Sequence, residues 1–173
     1  MQDIAGCRIV VAHLMEQQHV VERIARLFGE AAKVVDRRAK PSHGYRAVHM
    51  ILNPEPERSV EVQVRTAFQQ RWAELSELLA DRYGQDVKYG GGPADVQTIL
   101  MDLSSSISAF EEEQDRLHRA LARDSKRADT GELDQRDLQA YAEWAEAIAH
   151  LADGLASQLG VIMELHRRPR GNQ

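Results

Sequence analysis

The chain has 173 residues, of which 43% are hydrophobic and 5% aromatic, and its formal net charge is −5 at pH 7. This length allows one domain or a small domain with an appendage, and the charge argues against general electrostatic binding to nucleic acid or to an anionic membrane. The single cysteine excludes an internal disulfide, and no apolar run reaches the roughly 18 residues of a membrane helix. We therefore expect a cytoplasmic protein without a membrane segment.

Apolar residues in the first half of the chain alternate between the period of a strand and that of a helix. The predicted elements are strand 4–12, helix 14–28, strand 31–37, strand 45–52, strand 59–65 and helix 66–83. The first strand is expected to be mostly buried, with Cys7 as a small core residue. A loop over 38–44 separates the second and third strands.

The second half of the chain is helical after the break formed by three glycines and Pro93. A heptad seam predicts the first long helix, and its members are Val96, Leu100, Leu103, Ile107, Phe110, Leu117 and Leu121. A polar connector is predicted over 124–134, and a second helix over 135–160. The apolar stripe of that helix consists of Tyr141, Trp144, Ile148, Leu151 and Leu155. These patterns predict an α+β fold, with a mixed sheet of about four strands flanked by helices over 1–92 and a long helical hairpin over 93–173.

The predicted fourth strand separates apolar from polar side chains. Its valines point to one face, and Glu61, Gln63 and Arg65 point to the other. Such a polar face is commonly a solvated sheet surface. A carboxylate, an amide and a guanidinium in line also suit the floor of a site for a metal and a polar ligand. The pattern alone leaves both interpretations open.

A basic cluster precedes and enters the third strand, and its members are Arg37, Arg38, Lys40 and Arg46. Tyr45 lies within this cluster and shares a predicted face with His49. An aromatic ring beside a basic loop suits a stacked base whose phosphates are held by cations. The alternative is a half-buried tyrosine at a sheet edge. At the other end of the site, Asp3 is either a turn residue or, if the first and fourth strands are neighbours, a partner of Glu61 in holding Mg²⁺.

Four motifs occur in a characteristic order. They are Asp3-Ile-Ala-Gly-Cys-Arg8, Lys40-Pro-Ser-His-Gly-Tyr45-Arg46-Ala-Val-His49, Val60-Glu61-Val-Gln63-Val-Arg65-Thr66, and Gln69 through Trp72-Ala-Glu74. Together they resemble the (p)ppGpp synthetase domain of the RelA/SpoT family over residues 2–92. The resemblance implies a nucleotidyltransferase-like fold and the transfer of pyrophosphate from ATP to the 3′-hydroxyl of GDP or GTP.

The resemblance also implies roles for individual residues. Asp3 and Glu61 would coordinate Mg²⁺ and act as the catalytic residues, with Glu61 helping to activate the attacking hydroxyl. Tyr45 would stack on guanine. The remaining substrate-binding residues would be Lys40, Arg46 and His49 for phosphates and ribose, Gln63 and Arg65 for the floor of the site, and Arg8. Gln70 stands where small synthetases often have histidine.

Three hypotheses about activity follow from the resemblance. The family carries a basic ATP-binding helix and strand before its Asp-x-x-Gly-x-Arg strand, and Asp3 stands two residues after Met1, so we expect that segment to be missing. The chain is then either a pyrophosphokinase acting on GDP, GTP or, less favoured, a tRNA end, or a guanine-nucleotide binder without turnover. A helical assembly module with a vestigial α/β part is the third hypothesis. The terminal helices are expected to form a homo-oligomer.

Overall fold

The computed structural model describes residues 5–55 and 58–167. The strands within them are β1 (Ala5–Val11), β2 (Ala32–Asp36), β3 (Val48–Glu55) and β4 (Arg58–Thr66). The α-helices are α1 (Leu14–Phe28), α2 (Ala67–Tyr83), α3 (Ala94–Asp129) and α4 (Gln135–Arg167), and short 3₁₀ helices cover Gly29–Ala31 and Gln85–Tyr89. None of these described helices is both long and apolar enough to cross a bilayer.

The four strands form one mixed sheet in the order β1-β4-β3-β2. β1 runs parallel to β4, and β3 is antiparallel to both of its neighbours. The alternating apolar side chains of β3 and β4 pack against α1, and this core contains Val21, Val48, Met50, Val62 and Val64. The predicted α+β fold, with a four-stranded mixed sheet, flanking helices and a C-terminal helical hairpin, is confirmed.

Several local predictions were wrong in their details. β1 is an exposed edge strand rather than a mostly buried one, and Cys7 is exposed, because α1 packs mainly on the two central strands. β3 begins at Val48 instead of residue 45, since Tyr45 pairs with Ser42 in a tight turn. The connector predicted over 124–134 is shorter, because helix α3 continues through Asp129.

The heptad seam of α3 is divided between two intramolecular cores. Its first half, Val96 to Ile107, packs with α2 and with Leu159 of α4. Its second half packs through Phe110 and Leu117 on the α4 stripe. Leu121 and Leu151 were predicted to lie in these stripes but are largely exposed, at 43% and 52%. The division of the chain at residue 92 stays a prediction, and the two parts share a continuous core.

A buried polar network joins α3 to the base of α2. The side chain of Gln17 donates to Val64 O at 2.8 Å and to Gln69 Oε1 at 2.9 Å. Gln69 Nε2 donates in turn to Glu111 Oε2 at 2.9 Å, and the Thr66 hydroxyl donates to the other oxygen of Glu111. Thr66 and Gln69 also form the capping box of α2. The network therefore fixes α3 on the α/β unit at the start of α2.

Glu111 makes the stability of the fold depend on pH. Burial raises the pKa of this carboxyl, and hydrogen bonds from Thr66 and Gln69 offset only part of that effect. The stabilising contribution of protonated Glu111 is therefore fully present below the ordinary carboxyl pKa of 4.5 and is lost as the pH rises through the raised value. We expect Glu111→Gln, which can keep both hydrogen bonds in neutral form, to increase the free energy of unfolding at pH 7. Chemical denaturation from pH 4 to 8 tests this, and a variant less stable than the parent at pH 7 would contradict it.

Candidate functional site

The sheet face opposite α1 collects the polar residues of three strands. Arg8 of β1 pairs in register with Gln63 of β4, and Gln63 pairs with His49 of β3. Glu61 and Arg65 lie on the same face because they alternate with the buried valines of β4. Arg65 is only 6% exposed. The structure therefore favours the floor of a site over a fully solvated sheet face.

Glu61 is held by two neighbours on this face. His49 Nδ1 contacts its Oε1 atom, and Gln63 Nε2 donates to its Oε2 atom at 3.1 Å. The side chains of His49 and Glu61 are 18% and 20% exposed, so the carboxylate is oriented and keeps some contact with solvent. A carboxylate held in this way can accept a proton or bind a cation.

Arg65 carries a buried positive charge beneath the polar face. One terminal nitrogen donates to the Tyr45 hydroxyl at 2.8 Å and to Gln63 Oε1 at 2.7 Å, and the other donates to Gln70 Oε1 at 3.0 Å. Its Nε has no hydrogen-bond partner among residues 5–55 and 58–167, and no carboxylate in these ranges forms an ion pair with it. A buried guanidinium held only by neutral groups attracts an anionic ligand.

Tyr45 lies between the sheet and α2. The guanidinium carbon of Arg65 is 5.2 Å from the centre of the tyrosine ring, and the rings of His49 and Trp72 are 5.5 and 6.2 Å away. Burial raises the pKa of the Tyr45 phenol, and the charge of Arg65 offsets part of this effect. The phenol therefore stays neutral at physiological pH and accepts the hydrogen bond from Arg65.

A cavity of about 390 Å³ opens beside Tyr45. It is lined by Arg37, His49, Arg65, Trp72, Lys88 and Tyr89, among others. Lys88 forms an ion pair with Glu77, an exposed residue that also lines the cavity. Basic groups outnumber acidic ones around the cavity, and aromatic rings form part of its wall. This combination suits a planar base that carries phosphates.

Family and structure comparisons concern mainly the α/β part of the chain. Residues 1–85 match the RelA_SpoT model, which describes a region found in RelA and SpoT proteins. Small alarmone synthetase 1 from Bacillus subtilis, solved with its product pppGpp, is 28% identical with a TM-score of 0.54, covering 70% of this chain and 65% of that one. A second structure of the same synthetase has 27% identity and a TM-score of 0.55, covering 71% and 66%. The α/β part of the chain is a RelA/SpoT synthetase-like domain.

The chain is also similar to curated mycobacterial proteins that are named only as uncharacterized. Uncharacterized proteins Rv1366 of Mycobacterium tuberculosis and Mb1401 of Mycobacterium bovis are each 39% identical to it over 127 residues, covering 65% of this chain and 46% of the relative. The chain thus spans about half the length of the curated relatives it matches. The activity, substrates and partners of the whole protein are therefore proposals.

The magnesium prediction for the synthetase-like domain concerns Asp3 and Glu61. β1 and β4 are neighbours, as that prediction required, and Gly6 pairs in register with Glu61. Asp3 lies outside the described residues. Within the described ranges, no group of three or more His, Cys, Asp or Glu side chains is arranged to hold a metal. The Glu61 carboxylate nevertheless fits Mg²⁺, because this ion binds proteins through one or two carboxylates and takes other ligands from phosphate and water.

Two predicted phosphate-binding residues of the synthetase-like domain lie apart from the cavity. Arg46 turns toward α3, where its Nε donates to Ser104 Oγ at 3.0 Å and its terminal nitrogen donates to Arg38 O at 2.6 Å. It lines a different cavity, of about 650 Å³, between α1 and α3. Lys40 is exposed in the loop and lines neither of these two cavities. Arg8 is exposed on β1, where it pairs in register with Gln63, and its charge offsets a small part of the burial effect that raises the pKa of Tyr45.

Sequence reasoning missed Lys88 and Tyr89, which line the cavity beside Tyr45. These residues end the second 3₁₀ helix, directly before the glycine run. The sequence analysis treats the glycine run only as a boundary and assigns no binding role to the basic and aromatic residues before it. Lys88 and Tyr89 combine a basic and an aromatic side chain, as Lys40 and Tyr45 do in the preceding loop. This similarity was the available sequence signal for a second contribution to the site. The position of Lys88 and Tyr89 in the cavity depends on the packing of α2, which no local pattern reveals.

Proposed function

We propose that this domain binds a guanine nucleotide beside Tyr45 and transfers pyrophosphate from ATP to its ribose 3′-hydroxyl, which produces (p)ppGpp for the stringent response. One observation carries the proposal: a buried Arg65 without an ion-pair partner among the described residues lies at the floor of a basic, aromatic-lined cavity, with Glu61 beside it. The match to the RelA/SpoT family model supports the same assignment.

Binding of the acceptor uses aromatic and cationic side chains. The guanine base stacks on the Tyr45 ring, which also contacts His49 and Trp72 and whose hydroxyl accepts a hydrogen bond from Arg65. Arg37 and Lys88 at the wall of the cavity attract the phosphates. A phosphate that approaches Lys88 competes with Glu77 for the ammonium group. Lys40 and Arg8, which are both exposed, remain proposed contributors to phosphate binding.

Transfer of the pyrophosphoryl group uses Glu61. The 3′-hydroxyl proton moves to the Glu61 carboxylate, a bond forms between the 3′-oxygen and the β-phosphorus of ATP, and the bond from that phosphorus to the α-phosphate oxygen breaks, releasing AMP. His49 and Gln63 orient the carboxylate for this step. Mg²⁺, when bound by Glu61 together with the predicted ligand Asp3, supplies positive charge that neutralises the phosphates.

A transfer assay tests the proposal directly. Protein is incubated with ATP labelled in its γ-phosphate and with GDP, GTP or tRNA in separate reactions, and the products are resolved by chromatography. Label on GDP or GTP is the expected result. Label on tRNA alone would move the acceptor to a nucleic acid end, and GDP binding without any labelled product would reduce the function to nucleotide binding. Neither binding nor transfer with any acceptor would overturn the proposal.

Tyr45 variants test the base-stacking step. Tyr45→Ala is expected to weaken GDP binding by at least about fivefold, because stacking of a base on an aromatic ring contributes about 1–3 kcal/mol. Tyr45→Phe keeps the ring and loses only the hydroxyl bonded to Arg65, so it should retain most of the affinity. Titration calorimetry measures both. Equal affinities of Tyr45→Ala and the parent protein would exclude stacking on this ring.

A further inference from the structure

We propose that contacts with helix α3 determine the conformation of the loop that carries Tyr45, which we call the template role of α3. Ser104 of α3 is then a positioning residue for the nucleotide site. The consequence for nucleotide affinity rests on the proposed function. The consequence for the conformation of the loop does not, because it follows from contacts within the chain.

One hydroxyl group holds the loop on both sides of Tyr45. Ser104 is 3% exposed, and its hydroxyl donates to the backbone oxygen of Gly44 at 2.6 Å. The Ser104 hydroxyl oxygen itself accepts a hydrogen bond from Arg46 Nε at 3.0 Å. The residues immediately before and after Tyr45 are therefore attached to a single point on α3. Such a pair of bonds restricts the movement of the segment that carries Tyr45.

The loop also fits into a slot between α2 and α3. Trp72 of α2 donates from its indole nitrogen to Leu100 O of α3 at 2.8 Å, which fixes the indole ring. A β-carbon added at Gly44 would lie 2.8 Å from Cζ2 of that ring and 3.2 Å from Ser104 Cβ. The backbone of Gly44 is thus in close contact with both helices, and Trp72 lines the nucleotide cavity as well.

Arg46 has a structural role in this arrangement. Besides its bond to Ser104, it donates to Arg38 O at 2.6 Å and so closes the loop from residue 38 to residue 46. The family resemblance assigned Arg46 to phosphate binding, but in this structure its side chain attaches the loop to α3. This explains why the Arg46 side chain is turned away from the Tyr45 cavity.

The three successive serines of α3 provide a matched control. Ser105 and Ser106 donate to carbonyl oxygens of their own helix, Met101 O and Asp102 O, each at 2.9 Å. Only Ser104 of these three reaches the loop. Ser104→Ala and Ser105→Ala therefore remove the same hydroxyl group from adjacent positions of one helix, and only the first removes contacts to the loop.

Hydrogen–deuterium exchange of the protein without ligand tests the template directly. In Ser104→Ala the protected amides of the loop, Arg37, Ser42 and Tyr45, should exchange about tenfold faster, because lost buried hydrogen bonds of this kind change an equilibrium constant by about one power of ten. Ser105→Ala should leave them unchanged. Unchanged loop exchange in Ser104→Ala would overturn the proposal. Faster exchange spread equally through the amides of α2 and α3 would also overturn it, because Ser104 would then only stabilise the fold.

GDP titration of the same two variants tests the consequence for the site. The dissociation constant of Ser104→Ala should rise about tenfold, and that of Ser105→Ala should match the parent protein. A loosened loop with unchanged GDP affinity would overturn the role of Ser104 in positioning the site. If the parent protein binds no GDP while the loop of Ser104→Ala still exchanges faster, the proposed function fails and the template role of α3 is upheld.

Discussion

Replacing Glu61 with glutamine is expected to lower the rate of pyrophosphate transfer by about 10²–10⁴-fold, the usual contribution of a positioned general base. An amide has the shape of the carboxylate but neither its basicity nor its charge. The affinity for GDP should change much less than the rate, because Arg65 and Tyr45 remain in place. Transfer to GDP under single-turnover conditions, together with calorimetric GDP binding, separates the two effects.

The control for this substitution is Glu143→Gln, which makes the same chemical change on the exposed surface of α4. It should leave both binding and transfer as in the parent protein. If Glu61→Gln transfers pyrophosphate at the parental rate, Glu61 is neither the base nor a necessary cation ligand. The proposed use of the polar sheet face in catalysis would then be wrong, although nucleotide binding at Tyr45 would stand.

The fold could be predicted from the sequence because the two central strands, β3 and β4, each have one apolar face. Apolar and polar residues alternate strictly along β4. Because a strand has a period of two, this alternation predicts which side chains pack on α1 and which lie on the opposite face. The same pattern placed Glu61, Gln63 and Arg65 together, and the structure has them in direct contact. Burial of β1 could not be predicted in this way, because an apolar composition does not distinguish a central strand from an edge strand.

The site was less predictable than the fold because it depends on loops and on helix packing. Tyr45 and Arg46 are adjacent in sequence, yet one lines the nucleotide cavity and the other binds Ser104, 58 residues further along the chain. The position of α3 determines that the Arg46 side chain points toward Ser104 and not into the cavity, and the local sequence does not reveal that position. Lys88 and Tyr89 reach the cavity for a similar reason, since the length and direction of α2 carry them back toward Tyr45.

The heptad seam of α3 illustrates why an apolar stripe does not identify its partner. The pattern was compatible with packing on the hairpin itself, on the α/β unit or on another chain. In the structure, most of the seam is buried against α2 and α4. The homo-oligomer stays a prediction, and any such contact would use the apolar residues that are still exposed on these helices, among them Met101, Leu138 and Val161.

The loop carrying Tyr45 should tolerate no β-carbon at Gly44, and Gly44→Ala is expected to lower the free energy of unfolding by about 2–5 kcal/mol. Gly44 has a φ angle of +85°, where an L-residue costs about 1–2 kcal/mol. The added methyl group would lie 2.8 Å from Trp72 Cζ2 and 3.3 Å from Leu100 O, and such overpacking costs about 1–3 kcal/mol more. The indole ring cannot move aside easily because it is bonded to Leu100 O.

Gly131→Ala separates the two contributions to this loss. Gly131 also has a positive φ angle, +71°, but a β-carbon added there would meet nothing within 4 Å. Its substitution should therefore cost only the backbone term, about 1–2 kcal/mol. Urea unfolding of both variants and the parent gives the three free energies. Equal losses in Gly44→Ala and Gly131→Ala would mean that Trp72 and α3 yield to the methyl group, and the tight slot between α2 and α3 would not be what holds the Tyr45 loop.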